Sequence, residues 1–241
     1  GVAPHATVIS IRQSSELFHA VNPGADDAGA RTRAATVATL GRAIVHAANL
    51  GASVINVSAT ACLSADAPLD QRALGAAVWY AATVKDAVVV AAAGNEGEGD
   101  CRQNPAFDPL NADDPRDWDQ VSTISAPSWF ADYVLSVGAV DTTGAPIGGS
   151  LAGPWVGVAA PGVGVVGLAG PGGAVNAYAP TRPGEPSVPF TGTSFSAAYV
   201  SGVAALVRAK YPELSAHQVI NRIQQTAHNP PRGVDNQVGF G

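Results

Sequence analysis

The sequence has no methionine, little charge and few aromatic rings: charged residues make up 13% and aromatic residues 6% of its 241 positions. It contains no run of 18 uninterrupted apolar residues, so no membrane-spanning helix is expected. A signal-peptide pattern is also missing. The chain opens Gly1-Val2-Ala3-Pro4 without an initiator methionine, which reads as a processed or trimmed start. There is no basic excess. The formal net charge is -6, and phosphate binding needs a basic face, so nucleic acid is not an expected partner. The acidity is read as a solubility feature. Cysteine is scarce, with Cys62 and Cys101 alone. Neither sits in a CxxC pair or at metal-ligand spacing from a histidine, so no metal site is assigned and no cofactor is implied. The pair reads as a disulfide, worth about 4 kcal/mol in the chain-entropy model and a sign of an exported protein. Two separate buried thiols are the alternative.

What the chain has in quantity is small and apolar residues. It is 46% hydrophobic with 27 glycines, and long enough for one large α/β domain. Apolar runs alternate with helical patterns, which predicts βαβ units around a mostly parallel sheet. Strands are expected over 6–11, 54–57, 87–93, 133–140 and 156–160. Helices are expected over 32–49, 71–85, 194–210 and 215–227. Val37, Leu40, Ile44 and Val45 fall on one face of the first helix, and Gly51 suits the position just past its end. Val37, Leu40, Val203 and Leu206 are expected core residues. Segments 16–31 and 162–189 read as loops, the latter with hairpins. Segment 97–122 is acidic, carries Pro105, Pro109 and Pro115, and reads as a surface insertion. Its carboxylates at 108, 113, 114, 117 and 119 are as readily a solvated acidic loop as a calcium site. With no repeat and no sharp linker, 1–241 reads as one domain.

Two motifs carry chemistry. The first is Gly192-Thr193-Ser194-Phe195-Ser196-Ala197, which opens a helix of small residues. A serine there sits in the field of free backbone N–H groups, which favours developing negative charge. The plain alternative is an N-cap serine. The second is the apolar run at 88–93 leading into Gly94-Asn95-Glu96-Gly97. It delivers an amide donor to the end of a parallel strand, where α/β folds place ligands. An ordinary turn is the alternative.

The two motifs in this order resemble the subtilisin-like serine proteases, the subtilases. Further segments match in register: Gly1-Val2-Ala3-Pro4, Val54-Ile55-Asn56-Val57-Ser58, the run from Tyr133 to Asp141, Val158-Ala159-Ala160-Pro161-Gly162, and the closing stretch from Val234 to Gly241. The resemblance implies a subtilisin-like α/β fold, with a mostly parallel sheet and helices on both faces. It implies that Ser194 is the acylated nucleophile. Asn95 and the Ser194 N–H would form the oxyanion hole. Ser58, Ala59 and Thr60 would pair with a peptide substrate as an added strand. Ala92, Ala93 and Gly94 would wall the pocket for the residue before the scissile bond. The family usually has proline where this chain has Ala198, a position that tolerates rather than requires it.

The partners that should activate Ser194 are missing. A serine needs a base, and the base needs an orienting group. The family's His-Gly-Thr and Asp-Ser/Thr-Gly motifs both precede the Gly-Val-Ala-Pro segment, and neither occurs here. His5, His19, His46, His217 and His228 read as surface or structural residues, and Asp141 as a turn residue after a strand. Everything after the expected histidine helix is present and everything before it is absent, whereas a decayed enzyme would lose residues singly. The expectation is a C-terminal part of an active protease, unable to hydrolyse peptides without its N-terminal segment.

Segments 10–15, 190–195 and 226–231 resemble mycosins, the subtilases of mycobacterial type VII secretion systems. That resemblance implies an exported enzyme on the periplasmic, outer face of the inner membrane, held by a C-terminal helix outside this chain. It also implies association with a type VII secretion membrane complex. Its substrates would be peptides or proteins. A rival reading makes the domain a scaffold of that complex, with proteolysis secondary or lost. An esterase is a weaker rival, because it leaves the peptide-pairing segment at 58–60 without a role.

Overall fold

The computed structural model describes residues 1–14, 28–67, 69–106, 110, 117–169, 173–180, 182, 184–228, 230 and 233–241. Segment 16–27 and the carboxylates at 108, 113 and 114 lie outside the described residues.

The first helix, α1, covers Ala28–Asn49 and places Val37, Leu40, Ile44, Ala47 and Ala48 on its buried side. It ends at Gly51, whose φ of 81° is left-handed. The Gly51 N–H donates to the Ala48 carbonyl and the Ala52 N–H to the Ala47 carbonyl, the paired closure that glycine permits at this position. Strand β1 (Val54–Val57) follows, then a short β2 (Ala61–Ser64). Helix α2 (Arg72–Trp79) runs into a π-helical turn over Tyr80–Val84, which makes the expected second helix irregular in its last third. Strand β3 (Val88–Ala92) is wholly buried.

Strand β4 (Thr123–Ala126) pairs antiparallel with β2, a small two-stranded unit absent from the expected set. Ala61-Cys62-Leu63-Ser64 and Thr123-Ile124-Ser125-Ala126 lack the density of valine and isoleucine that marks β1 and β3. Strands β5 (Val134–Val140) and β6 (Val156–Pro161) complete the main sheet, in parallel order β1-β3-β5-β6. The stretch between β6 and the next helix holds two hairpin pairs, β7 (Gly167–Ala169) with β8 (Gly173–Val175), and β9 (Ala177–Tyr178) with β10 (Val188–Pro189). Helices α3 (Thr193–Lys210) and α4 (Ala216–Gln225) follow. Ser215 caps α4 in a capping box with Gln218.

Alternation along β3 decides what packs where. Val89 and Ala91 join the cluster under α1 and α2, with Val37, Leu40, Leu74 and Val78. Val88, Val90 and Ala92 face the other way, against Ala197, Val200 and Ala204 of α3 and Val219 and Ile223 of α4. Helices therefore cover both faces of a parallel sheet, the architecture the pattern predicts.

Two expectations are corrected, and a third gains detail. Residues 6–11 form no strand and are largely open to solvent, with Val8 85% exposed. Among the described residues no neighbouring strand pairs with them, and a lone strand has no ladder to hold it. Val203 and Leu206 are exposed, at 39% and 47%, while Val37 and Leu40 are core. The buried stripe of α3 is made instead by Ala197, Val200 and Ala204. Segment 97–122 is mostly exposed in its described part but is pinned at two buried points, Cys101 and Asn104. The Asn104 amide donates to the carbonyls of Thr123 and Ala152, and its oxygen accepts from the N–H groups of Ser122 and Thr123.

Candidate active site

The site forms where the end of β3 meets the start of α3. Beyond Ala92 the chain turns at Gly94, with φ 108°, and presents Asn95. From the other side Gly162 brings the chain in. Its N–H donates to the Val140 carbonyl, and its carbonyl accepts from the Gly192 N–H. A Cβ at 162 would lie 2.8 Å from the Ser196 hydroxyl, so a larger residue would push this approach apart. Gly192, with φ 136°, makes the last turn before the helix. Its Cα has Asn95 against it, for a Cβ there would stand 3.1 Å from Asn95 Nδ2.

Ser194 is not the N-cap. Gly192 holds that place, and Ser194 is the second residue of the helix, half-buried. Its backbone N–H lies in the first turn, where no preceding carbonyl of the helix can accept it. The Asn95 side-chain oxygen accepts from the Thr193 N–H at 2.9 Å and from the Thr193 hydroxyl at 3.1 Å. With that oxygen engaged, the planar amide turns its Nδ2 donor away from Thr193. The Thr193 hydroxyl in turn accepts from the Gly94 N–H at 3.2 Å. Asn95 and Ser194 both line one cavity of about 670 Å³.

A second chain of hydrogen bonds ties the end of β1 to the same helix. The Ser201 hydroxyl donates to Asn56 Oδ1, Asn56 Nδ2 donates to the Ser58 hydroxyl, and that hydroxyl donates to the Ser194 carbonyl at 2.9 Å. Ser58 and Ala59 are exposed, Thr60 is half-buried, and all three line the cavity. Residues 58–60 belong to no strand pair among the described residues, so their edge is open. The expected wall at 92–94 is narrower. Ala92 lines the cavity, whereas Ala93 is fully buried against Trp155 and Val156, and Gly94 abuts Leu151. Strand alternation carries Ala93 to the side opposite Ala92.

Thr193, Asn56 and Ser201 were missed in the sequence. Asn56 left a trace, as the polar residue of an otherwise apolar strand; Ser201 reads as an ordinary small helix residue, and Thr193 as a flank of Ser194. The cysteines are joined in a Cys62–Cys101 disulfide that borders the cavity, so the free-thiol alternative falls away.

No histidine lines this cavity among the described residues. His5, His46 and His228 are exposed, and His217 on α4 lies edge-on to Tyr133. His19 lies outside the described residues. Asp141 is a turn residue: its carboxylate accepts from the Thr143 hydroxyl and from the N–H groups of Thr143 and Ala145, and these bonds, the Thr143 hydroxyl first, hold its pKa below the usual value.

Comparison with known proteins identifies the family. The chain is 66% identical to Mycosin-2 of Mycobacterium tuberculosis (strain ATCC 25618 / H37Rv), over all of this chain and 44% of that protein. It superposes on a chain of an intact ESX-5 inner membrane complex with a TM-score of 0.93 at 58% identity, covering all of this chain and 55% of that one. The MycP3 protease from the type VII (ESX-3) secretion system gives a TM-score of 0.91 at 52% identity, over all of this chain and 65% of the other. The chain spans about half the length of the mycosins it matches. The cavity lined by Ser194 and Asn95 is thus set in a fold shared with these proteins, and the subtilase family model matches residues 1–241 throughout: the chain belongs to the subtilase family.

Proposed function

We propose that this chain is the nucleophile-bearing part of a serine endopeptidase that works in type VII secretion as the mycosins do. The observation that carries this is the Thr193 clasp on Asn95, which sets an amide donor beside the first turn of α3 where Ser194 opens into a groove. In this reading the Ser194 hydroxyl attacks the peptide carbonyl. The oxyanion takes hydrogen bonds from Asn95 Nδ2 and the Ser194 N–H. The leaving amine takes the proton that a histidine removed from Ser194, and water then hydrolyses the acyl-enzyme. Residues 58–60 bind the substrate as an added strand.

The histidine and its orienting aspartate belong to a segment of the whole protein outside this chain. Among the described residues nothing pairs with the outer edge of β1, and this edge, with the exposed Val203 and Leu206, supplies a surface on which that segment packs. The protein is exported and acts on the periplasmic side of the inner membrane, anchored by a C-terminal helix beyond this chain. None of the helices among the described residues is long and apolar enough to cross a membrane.

A fluorophosphonate probe tests the chemistry. It should label Ser194 rapidly in the full-length protein and hardly at all in the 241-residue chain; normal labelling of the chain alone would refute the need for an outside base. The scaffold reading has support of its own, since a relative occurs in an inner membrane complex. Secretion assayed with full-length Ser194→Ala separates the two: intact secretion with a dead enzyme assigns the main role to scaffolding.

A further inference from the structure

The groove has a remote end that the chemistry above does not use. From Ser194 its wall follows residues 58–62, with Ser58 bonded to the Ser194 carbonyl and Cys62 bonded to Cys101. Strand β2, which continues this wall, is paired on one side, by β4, among the described residues. An extended peptide laid along 58–62 would cover about 13 Å, or about four residues at about 3.3 Å each. The disulfide leads from Cys62, at the end of that stretch, to Cys101, the neighbour of Asp100, and there the two walls of the groove are joined. Arg33 Nη1, from α1, meets Asp100 Oδ2 at 2.6 Å across 67 positions of sequence, and both residues line the cavity. Asp100 is held in place by the disulfide at the next residue, and Arg33 by the helix. The side chains are 36% and 57% exposed, so the pair faces solvent and anything that enters the groove.

We infer that the Arg33–Asp100 pair is a specificity determinant of the groove, selecting the side chain about four residues from the scissile bond. The inference rests on the groove being a peptide cleft. While the pair is closed, each charge satisfies the other and the bridge limits the space, so a small uncharged side chain fits best. Without the Asp100 carboxylate, Arg33 turns a free cation into the groove and prefers an acidic side chain. Without Arg33, Asp100 joins Glu98 on the same wall, and a basic side chain is preferred.

The test uses full-length protein carrying Ser194→Ala, so that peptides bind without turnover. Fluorescent peptides differing at one position, as Ala, Asp, Lys or Leu, are measured by anisotropy, with the varied position moved through five residues on either side of the scissile bond. The parent should favour Ala at one position. There Asp100→Asn should improve Asp over Ala about fivefold, and Arg33→Gln should improve Lys over Ala by a similar factor. The exchange Arg33→Asp with Asp100→Arg should restore the parent profile. Unchanged profiles at every position, or no binding of any peptide, would overturn the inference. If the expected profiles appear but protein with Ser194 intact cleaves none of the bound peptides, the peptidase reading fails and the specificity inference stands.

Discussion

Thr193 is fully buried, and its hydroxyl stands between the Gly94 N–H and the Asn95 side-chain oxygen. Thr193→Val keeps the shape and removes both bonds, leaving a buried N–H without a partner. It should lower unfolding free energy by about 1–3 kcal/mol, measured by urea denaturation of this chain, while Thr193→Ser should recover most of the loss. In the full-length enzyme the same valine should lower kcat with little change in KM, because Asn95 acts on charge that develops in the transition state. Asn95→Ala should cost about 2.7–4 kcal/mol of transition-state stabilisation, the range set by an asparagine of the same role in a subtilisin. The serine and the asparagine were legible because each sits in a short motif at an element boundary. Their clasp was not, since Thr193 touches Asn95 across 98 positions.

Helix α3 ends near a junction built on Asp86, a non-glycine residue with φ 53° just before β3. Its carboxylate pairs with Arg208 at 2.9 Å and accepts from the Ala216 N–H at the start of α4, and its carbonyl accepts from Arg208 as well. Burial pushes the Asp86 pKa up, but the bond from Arg208, the Ala216 N–H and the nearby positive charge outweigh it, and the net shift is downward. The folded state thus binds this proton less readily than the unfolded state. The stabilisation is complete above the ordinary aspartate range and is lost as pH falls through the lowered value. Asp86→Asn tolerates the left-handed backbone and keeps an acceptor. It should destabilise by about 1 kcal/mol at neutral pH, the half-exposed carboxylate limiting the effect. Denaturation curves for the two proteins should converge on acidification through the lowered pKa; a gap unchanged at low pH would exclude this role. Long helices and strands dense in valine and isoleucine were readable, whereas β2, β4 and the π-helical turn carry no such local signal and are decided by packing.

The surface of the whole molecule is divided between what this chain closes for itself and what it leaves open. The Cys62–Cys101 bridge closes one side of the groove and spans 39 positions. Its removal by Cys62→Ser with Cys101→Ser should cost about 2–4 kcal/mol, and reductant should have no effect on the double variant's denaturation midpoint. The open side includes β1 and the exposed Leu206. Leu206→Ala should change the stability of this chain by less than about 0.5 kcal/mol, as surface substitutions do. In the full-length protein it should cost about 2 kcal/mol or more if the remaining segment buries it. Equal small effects in both would place the docking surface elsewhere.

By itself the sequence determined the layer architecture and the order of the main strands and helices, and it marked Ser194 and Asn95 as the residues on which the proposed chemistry rests. These follow from periods, boundary glycines and short motifs, all of which are local. Tertiary structure alone decided that 6–11 is not a strand, that Leu206 faces out, that Thr193 holds Asn95, and that Arg33 reaches Asp100. Each of these depends on which distant segment lies alongside, and a local pattern carries no record of its neighbours across the fold.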